Sequence, residues 1–241
     1  MALISIIIPT YNSSARILDT VYSLIDQSYD EVEIIIQDGF STDNTVSNVN
    51  NLYNSKVKVY IEEDKGVYDA MNNGLLHANG EYVMFMGAGD VLFDKDVLCK
   101  VNNIIKTDHP DILYGYVMGI EDDNKTVKMN CKLDFWYTIK FFPVCHQAIV
   151  AKKQLFSEKK FDSTYKVCAD QDWLMYMKKK RKKIKYIDLC IAKYPRDGIS
   201  SSKEGELICI KEQNKIHRQY YPFRKLVHDI YYSLKKKIIK I

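Results

Sequence analysis

Several common sequence signals are missing from this chain of 241 residues. Its six cysteines form no CxxC pair and have no histidine at zinc-ligand spacing, which argues against a zinc module. No stretch approaches the ~20 apolar residues that a membrane-spanning helix needs. The first residues carry no basic segment and no small-residue cleavage site. We therefore expect no signal peptide, and free thiols in a reducing cytosol.

The net charge is also small, and the common phosphate-binding loops are absent. Lysine and arginine number 35 against 31 acidic residues, and the resulting net charge of +4 is too mild to imply a nucleic-acid partner. No GxGxxG follows the first predicted strand, which disfavours a dinucleotide fold, and no GxxxxGK[ST] is present, which excludes a P-loop. Internal repeats and low-complexity linkers are absent. Apolar residues, at 46%, are sufficient for a substantial core.

What is present is a strand–helix repeat over the first ninety residues. The predicted strands are Ser5–Ile8, Val32–Gln37, Val57–Glu62 and Tyr82–Met86. The predicted helices between them are Ala15–Gln27, a segment capped by residues 41–43 that reaches Tyr53, and Tyr68–His77. Joined by right-handed crossovers, these elements predict an α/β fold with a doubly wound, mostly parallel central sheet flanked by helices.

Polar residues follow the end of each of these four strands. Thr10 and Asn12 follow the first, Asp38 the second, Asp64 the third and Asp90 the fourth. Ligands of such sheets bind outside the carboxyl ends of the strands, so these turns predict a binding site. For any single turn, the alternative is a loop that is polar because it faces solvent.

Two of these carboxylates indicate the kind of ligand. A diphosphate held without the usual glycine-rich loops needs a divalent cation such as Mn²⁺ or Mg²⁺, and Asp90 is placed to bind one. Gly87 and Gly89 allow backbone and phosphate to approach closely. Asp38 can accept a hydrogen bond from the N–H of a uracil-like base. The alternatives are that Asp90 caps the next segment and that Asp38 forms an Asx turn.

The pattern is looser after Asp90. A helix is predicted at Val97–Ile105, and two later helices at 152–156 and Trp173–Lys180. The predicted strands are Ile112–Met118, a hairpin through Val127–Leu133, Ala148–Val150, Ile184–Leu189 and Ile191–Tyr194. Two helices follow at the end, Glu204–Tyr220 and a basic amphipathic one at Leu226–Ile241. We divide the chain into a nucleotide-sugar part (1–118), an acceptor and catalytic part of the same domain (119–205) and a helical tail (206–241).

Three sequence blocks resemble the signature blocks of the family 2 glycosyltransferases. They are ISIIIPTYN at residues 4–12, QDGFSTDNT at 37–45 and GVYDAMNNG at 66–74. Gly80 and GAGD at 87–90 follow in order, and CHQA at 145–148 and ADQD at 169–172 extend the resemblance to about residue 200. The resemblance implies the GT-A fold, with a Rossmann-like sheet and a C-terminal acceptor-binding part. The most similar subgroup builds bacterial O-antigen, capsule or other exopolysaccharide.

Roles on the donor side follow from matching positions with this family. The resemblance implies nucleotide-sugar contacts at Pro9, Thr10, Asn12, Asp38, Asp69 and Asn72, with Gly87 beside the phosphates. Arg196 matches a late loop that closes over the diphosphate, where its charge would offset that of the leaving group; the alternative is a solvated turn. Asp90 belongs to the metal motif. Many members have Asp-x-Asp-Asp there, and this chain keeps only the last carboxylate.

The resemblance also implies a catalytic base. Inverting transfer needs a carboxylate that takes the proton of the acceptor hydroxyl. The family places it in a Glu-Asp or Ala-Asp pair just before a helix, and Asp170 matches that position. Asp172 is predicted to support Asp170 or to begin the helix, and both residues would also complement the helix dipole. His146 and Gln147 are predicted to face the sugar or acceptor, against the alternative of a structural histidine.

We therefore expect an inverting hexosyltransferase that uses a nucleotide-diphosphate sugar, with a UDP-sugar favoured, and a lipid-diphosphate-linked saccharide acceptor. The basic tail predicts a cytoplasmic protein bound peripherally to the inner face of the cell membrane; the alternative is a tail that packs on the domain. Two other functions stay open. One is a catalytically silent nucleotide-sugar-binding protein. The other is a sugar-1-phosphate nucleotidyltransferase, which would need a glycine-rich loop where this chain has Pro9–Asn12.

Overall fold

The computed structural model describes residues 3–121, 125–129, 144–198 and 202–222. In its first half, strands and helices alternate as the sequence predicts. The strands are β1 (Ile4–Thr10), β2 (Val32–Asp38), β3 (Val57–Ile61), β4 (Tyr82–Phe85) and the short β5 (Val91–Leu92). The helices are α1 (Ile17–Ile25), α2 (Thr45–Asn50), α3 (Val67–His77) and α4 (Val97–Asp108). The two-residue β5 has no counterpart among the sequence predictions.

The second half contributes four more strands and three helices among the described residues. The strands are β6 (Ile112–Ile120), β7 (Thr126–Met129), β8 (Ile149–Lys152) and β9 (Ile184–Pro195). The helices are α5 (Leu155–Glu158), α6 (Ala169–Lys179) and α7 (Lys203–Tyr220), and a 3₁₀ turn covers His146–Ala148. The end of the predicted hairpin and the predicted helix Leu226–Ile241 lie outside the described residues.

These strands form one sheet in the order β3-β2-β1-β4-β8-β6-β9-β5, with β7 paired to β6. The pairs β1–β2, β2–β3 and β1–β4 are parallel, as predicted. β8 lies between β4 and β6 and is antiparallel to both, so the sheet beyond β4 is mixed. One half of the sheet is therefore parallel, and the other half extends it with both antiparallel pairs and the parallel pair β6–β9.

Alternate side chains of the central strands enter two separate cores. Ile7 and Ile35 face a core with α3 and α6, whereas Ile6, Ile8 and Ile34 face a core with α1 and α4. All five are fully buried. Each such side chain contributes about 1.5–3 kcal/mol through burial, which fixes the strand register. Helices therefore cover both faces, and only the strand ends are free to build a site.

Three predicted boundaries in the second half differ. The helix predicted at 152–156 begins three residues later, at Leu155, because Lys152 still belongs to β8. Helix α6 begins at Ala169, four residues before the predicted start at Trp173, so Asp170 lies in its first turn rather than before it. The two predicted strands at 184–189 and 191–194 form one strand, β9. Its pairing with β6 shifts register between Tyr114 and Val117, opposite Cys190. This irregularity lies where the sequence pattern divides the two predicted strands.

Candidate active site

A cleft of about 400 Å³ opens beside the carboxyl ends of β1 and β4. The turn after β4, the 3₁₀ turn, the start of α6, the loop after β9 and one face of α7 form its walls. Seven predicted site residues line it: Pro9, Gly87, Asp90, His146, Gln147, Asp170 and Arg196. These residues are as much as 187 positions apart in sequence, and the sheet brings them to a single opening.

Asp90 closes the turn that forms one wall of this cleft. Its Oδ2 accepts a hydrogen bond of 2.6 Å from the Gly87 N–H, and the residue is 5% exposed. Gly89 has φ +104°, and its N–H donates to Thr20 Oγ1 at 2.8 Å. Burial raises the pKa of Asp90, although the charge of His146 and hydrogen bonds from Gly87 and Gln147 act in the opposite direction. The carboxylate thus both organises its turn and borders the cleft.

His146 lies between two of the carboxylates that line the cleft, Asp90 and Asp170. Its Nδ1 is 3.7 Å from Asp170 Oδ2. Burial by itself lowers the pKa of His146, but the interaction with Asp170 and the negative charge of Asp90 outweigh it, so the pKa is raised. The ring therefore holds a proton more strongly than an ordinary histidine. This position links the wall formed by Asp90 to the wall formed by Asp170.

Asp170 is 7% exposed and is held by two hydrogen bonds to Oδ1. The Gln171 N–H donates at 2.8 Å and the Tyr68 hydroxyl lies at 3.3 Å. The same hydroxyl is 2.6 Å from the Val167 carbonyl oxygen. Burial, followed by the charge of Asp170, raises the pKa of Tyr68 far above its ordinary value, so the hydroxyl stays protonated. Sequence reasoning missed Tyr68, although it lies in the block at 66–74.

Asp172 lies behind the cleft, not in it. Its Oδ1 accepts a hydrogen bond of 3.0 Å from the Tyr220 hydroxyl on α7. Its Oδ2 is 2.9 Å from Lys159 Nζ, in an ion pair that lacks hydrogen-bond geometry. The residue is 1% exposed. Asp172 therefore anchors α6 to its neighbours, and its predicted role as an acceptor contact or as support for Asp170 stays a prediction.

The residues predicted to meet the nucleoside form a network beside the cleft. Thr10 and Asp38 are neighbours in the β1–β2 register, and Thr10 Oγ1 donates to Asp38 Oδ2 at 3.1 Å. Asp38 also accepts hydrogen bonds from the N–H and hydroxyl of Ser41, at 2.8 and 2.6 Å. Asp38 is fully buried. A base would reach it only if Ser41 moved, and in this state the carboxylate organises its own loop.

Asn12 ties the first polar turn to the second. Its backbone N–H donates to Ser41 Oγ at 2.8 Å, and its Oδ1 accepts from the Thr42 N–H at 2.9 Å. Asn12 has φ +47°, a left-handed conformation that asparagine tolerates better than most residues. The loops after β1 and β2 are therefore one hydrogen-bonded unit.

Asp69 and Asn72 lie on α3, and neither lines the cleft. Asp69 Oδ2 accepts a hydrogen bond of 3.0 Å from the Lys65 N–H, which closes the loop before the helix. Asn72 exchanges two hydrogen bonds with the backbone of Phe161, at 2.9 and 3.1 Å. In this structure Asn72 holds the segment that precedes α6, so its amide faces protein rather than the cleft.

Arg196 lies at the rim of the cleft, where its Nη1 is 2.8 Å from Glu121 Oε1. A second arginine, Arg16, also lines the cleft and forms two hydrogen bonds with Asp197, the residue after Arg196, at 2.9 and 2.5 Å. Sequence reasoning missed Arg16, because no block contains it and its acidic partner is 181 residues away. Two guanidinium groups thus border the cleft, each paired with a carboxylate.

A divalent cation fits this cleft only with help from a ligand. The described residues contain no group of three or more His, Cys, Asp or Glu side chains placed to hold a metal. Asp90 supplies one hard carboxylate oxygen donor to the cleft, and its other oxygen is engaged by Gly87. Mg²⁺-type sites commonly use one or two carboxylates together with substrate phosphates and water. The donor set therefore suits a cation bound mainly through a diphosphate.

The fold is of the GT-A class. Solved structures support this fold. The structure of S. aureus TarS 1–349 in complex with UDP-GlcNAc has a TM-score of 0.68 at 21% identity, over 90% of this chain and 71% of that one. The mannosyltransferase PcManGT from Pyrobaculum calidifontis, in complex with GDP-Man and Mn²⁺, has a TM-score of 0.62 at 18% identity, over 80% and 56%.

Sequence comparison identifies the family. The model of Glycosyl transferase family 2 matches residues 5–184, and this chain belongs to that family. A PGL/p-HBAD biosynthesis glycosyltransferase of Mycobacterium bovis is 33% identical over 175 residues, which are 70% of this chain and 67% of the relative. An uncharacterized glycosyltransferase of Haemophilus influenzae is 30% identical over 54% and 52% of the two chains. The chain is an enzyme that transfers sugars, and the expected family and fold are confirmed.

Proposed function

We propose that this enzyme transfers a sugar from a UDP-sugar to a lipid-linked saccharide, with inversion at the anomeric carbon. The observation that carries the proposal is that Asp90, from the donor motif, and Asp170, at the base position, border one cleft with His146 between them. A donor bound at the strand ends and an acceptor approaching from α6 would meet in this space. Family membership favours sugar transfer over nucleotidyl transfer.

The transfer step follows from these positions. Asp170 takes the proton of the acceptor hydroxyl while that oxygen attacks the anomeric carbon. The bond from this carbon to the diphosphate oxygen breaks on the opposite face, and the nucleoside diphosphate leaves with the electron pair. Tyr68 holds the Asp170 carboxylate from one side, and His146 contacts it from the other. Arg196 places positive charge at the rim, where negative charge develops on the leaving group.

A divalent cation, Mn²⁺ or Mg²⁺, is part of the proposal. Asp90 would hold it together with diphosphate oxygens, and when bound it would neutralise charge on the leaving group. The complex of PcManGT with Mn²⁺ supports cation use in this fold. Pro9, Gly87 and Gln147 would border the donor, and the loop network of Thr10, Asn12 and Asp38 would meet the nucleoside after Ser41 moves. Asp69 and Asn72 are proposed to act beside this pocket by holding the backbone of Lys65 and of Phe161.

Changing Asp170 to Asn tests the catalytic assignment. We expect turnover to fall by about 10²–10⁴-fold, because the amide cannot accept the proton, while UDP binding is unchanged. Turnover is measured as UDP release in the presence of Mn²⁺ or Mg²⁺ and a lipid-diphosphate saccharide. UDP binding is measured by calorimetry. Asp188→Asn, an exposed carboxylate outside the cleft lining, is the matched control.

The outcomes separate the alternatives. Loss of transfer with intact binding supports a catalytic base at Asp170. A wild-type enzyme that binds UDP-sugar but turns over no acceptor supports the catalytically silent binding protein. If only donors with other nucleotides are consumed, the proposed contact between Asp38 and uracil is wrong.

A further inference from the structure

Arg16 lies against the turn that carries Asp90. It is the residue before α1, and it lines the cleft. A Cβ atom placed on Gly89 would be 3.2 Å from Arg16 Cδ and 3.4 Å from Pro195 Cγ. The arginine stem is therefore packed between the turn at 87–90 and the end of β9. This packing brings its guanidinium to the part of the cleft where the proposed function places the diphosphate.

Asp197 holds that guanidinium in a two-pronged contact. The distances are 2.9 Å for Nη1–Oδ1 and 2.5 Å for Nη2–Oδ2. The hydrogen bond and charge of Asp197 raise the pKa of Arg16, and those of Arg16 lower the pKa of Asp197, so both groups are charged. The side chains are 50% and 42% exposed. Exposed ion pairs contribute little to stability, so this pair can be exchanged at low cost.

A diphosphate is a better partner for Arg16 than a single exposed carboxylate. Arginine presents a planar fork of donors that matches phosphate oxygens as well as it matches a carboxylate, and a diphosphate carries more negative charge. Asp90 supplies a single carboxylate for a cation at the same turn. A cation held by one protein carboxylate depends on the diphosphate for its other ligands, and a guanidinium beside it would help to hold that diphosphate.

We propose that Arg16 binds the diphosphate of the donor and that Asp197 competes for the same guanidinium when the donor is absent. The inference rests on the proposed function, because it assumes a nucleoside diphosphate in this cleft. It assigns to Arg16 a direct contact with the leaving group and to Asp197 an opposing role in donor affinity. The two members of one ion pair then have opposite effects on binding.

Calorimetric titration with UDP and with uridine tests this assignment in the full chain. Arg16→Ala is expected to weaken UDP binding roughly 10- to 100-fold, because a charge-assisted contact is lost. Uridine, which has no diphosphate, is expected to bind this variant nearly as well as it binds wild type. Asp197→Asn is expected to tighten UDP binding roughly two- to fivefold, because the competing carboxylate is removed.

Lys100→Ala is the matched control. Lys100 forms an exposed ion pair with Asp94 at 2.9 Å, lies outside the cleft lining, and its loss changes the net charge by the same amount. Its UDP affinity should equal that of wild type. Melting curves of all variants establish that each is folded.

A structural role for the ion pair gives a different result. If Arg16 and Asp197 only join α1 to the loop after β9, both substitutions weaken UDP and uridine binding alike, and that result would overturn the assignment. Unchanged UDP affinity in Arg16→Ala would overturn it as well. If wild type binds neither UDP nor another nucleoside diphosphate, the proposed function itself fails, which is distinguishable from failure of the Arg16 assignment alone.

Discussion

At the scale of single residues, two positions in the fold tolerate few other amino acids. Gly89 has φ +104°, a backbone conformation in which any side chain is strained. A Cβ atom added there would also contact Arg16 and Pro195. Glu33 is a buried carboxylate far from the cleft that holds the turn before β4. Each gives a prediction that a single substitution can check.

Changing Gly89 to Ala should destabilise the protein by roughly 1–3 kcal/mol, because the backbone conformation is strained and the new methyl group meets Arg16. UDP binding should also weaken, because Arg16 or the turn must shift. Gly198→Ala is the control, since an added Cβ there has no neighbour within 4 Å and its φ is ordinary. Thermal unfolding measures both variants, and equal melting temperatures would contradict the prediction.

Stability should decrease in acid partly through Glu33. Burial alone raises the pKa of Glu33, but hydrogen bonds from Ser5, Asn79 and Lys58 outweigh it, so the pKa lies below its ordinary value of 4.5. A depressed pKa in the folded state means that this contribution is present above about pH 4.5 and is lost as pH falls through the folded value. Glu33→Gln should be less stable at pH 7 and should lose less on acidification, as melting temperatures from pH 7 to pH 3 would show. Parallel curves would argue against this role.

At the scale of elements, α7 positions the proposed base. Glu212 on α7 accepts hydrogen bonds from three successive backbone N–H groups, those of residues 166, 167 and 168, at 2.7, 3.0 and 2.9 Å. Tyr220 on the same helix donates to Asp172. The Sγ atoms of Cys168 and Cys209 are 3.3 Å apart. The start of α6, which carries Asp170, is therefore fixed by a helix that follows it by more than thirty residues.

Glu212→Gln should lower kcat by roughly tenfold with little change in the KM for donor, because a small displacement of Asp170 affects the transfer step. Stability should also fall, by roughly 0.5–2 kcal/mol, since three backbone N–H groups, one of them on a buried residue, lose a charged acceptor. Glu212→Ala should be more severe, as it keeps no acceptor oxygen. Glu204→Gln, exposed on the first turn of α7, is the control. A change in KM alone would show that Glu212 does not act through the base.

At the scale of the whole molecule, the proposed acceptor raises the question of membrane contact. Within the described part of the chain, no helix is long and apolar enough to span a bilayer. The last residues include Lys235, Lys236, Lys237 and Lys240, and they lie outside the described residues. Peripheral binding through this basic segment remains part of the proposed function.

Replacing those four lysines with glutamine should abolish sedimentation with anionic vesicles of phosphatidylglycerol and leave binding to neutral vesicles unchanged. The physical reason is that each lysine near an anionic surface contributes about 1 kcal/mol of attraction. UDP binding in solution should not change, because the described residues that line the cleft all precede 210. Wild-type protein that stays in the supernatant with anionic vesicles would support a tail packed on the domain.

The sequence determined the order of elements and the family, because buried strands and helix caps leave local periodic signals. It also placed Asp90 and Asp170 at their positions by block matching. Only the tertiary structure decided which side chains meet: Tyr68 with Asp170, Arg16 with Asp197, and Glu212 with the start of α6. These contacts join residues 44 to 181 positions apart, and no local pattern encodes them.

The same reason explains the environments of two residues with predicted donor contacts. Asn72 and Asp38 matched donor positions, yet the structure shows them hydrogen-bonded within protein, to Phe161 and Ser41. Whether a polar side chain faces a ligand or a neighbouring loop depends on how distant segments pack. The strand ends were readable from the sequence because hydrophobic burial is periodic, whereas the partners at those ends were fixed only when the two halves of the sheet closed around the cleft.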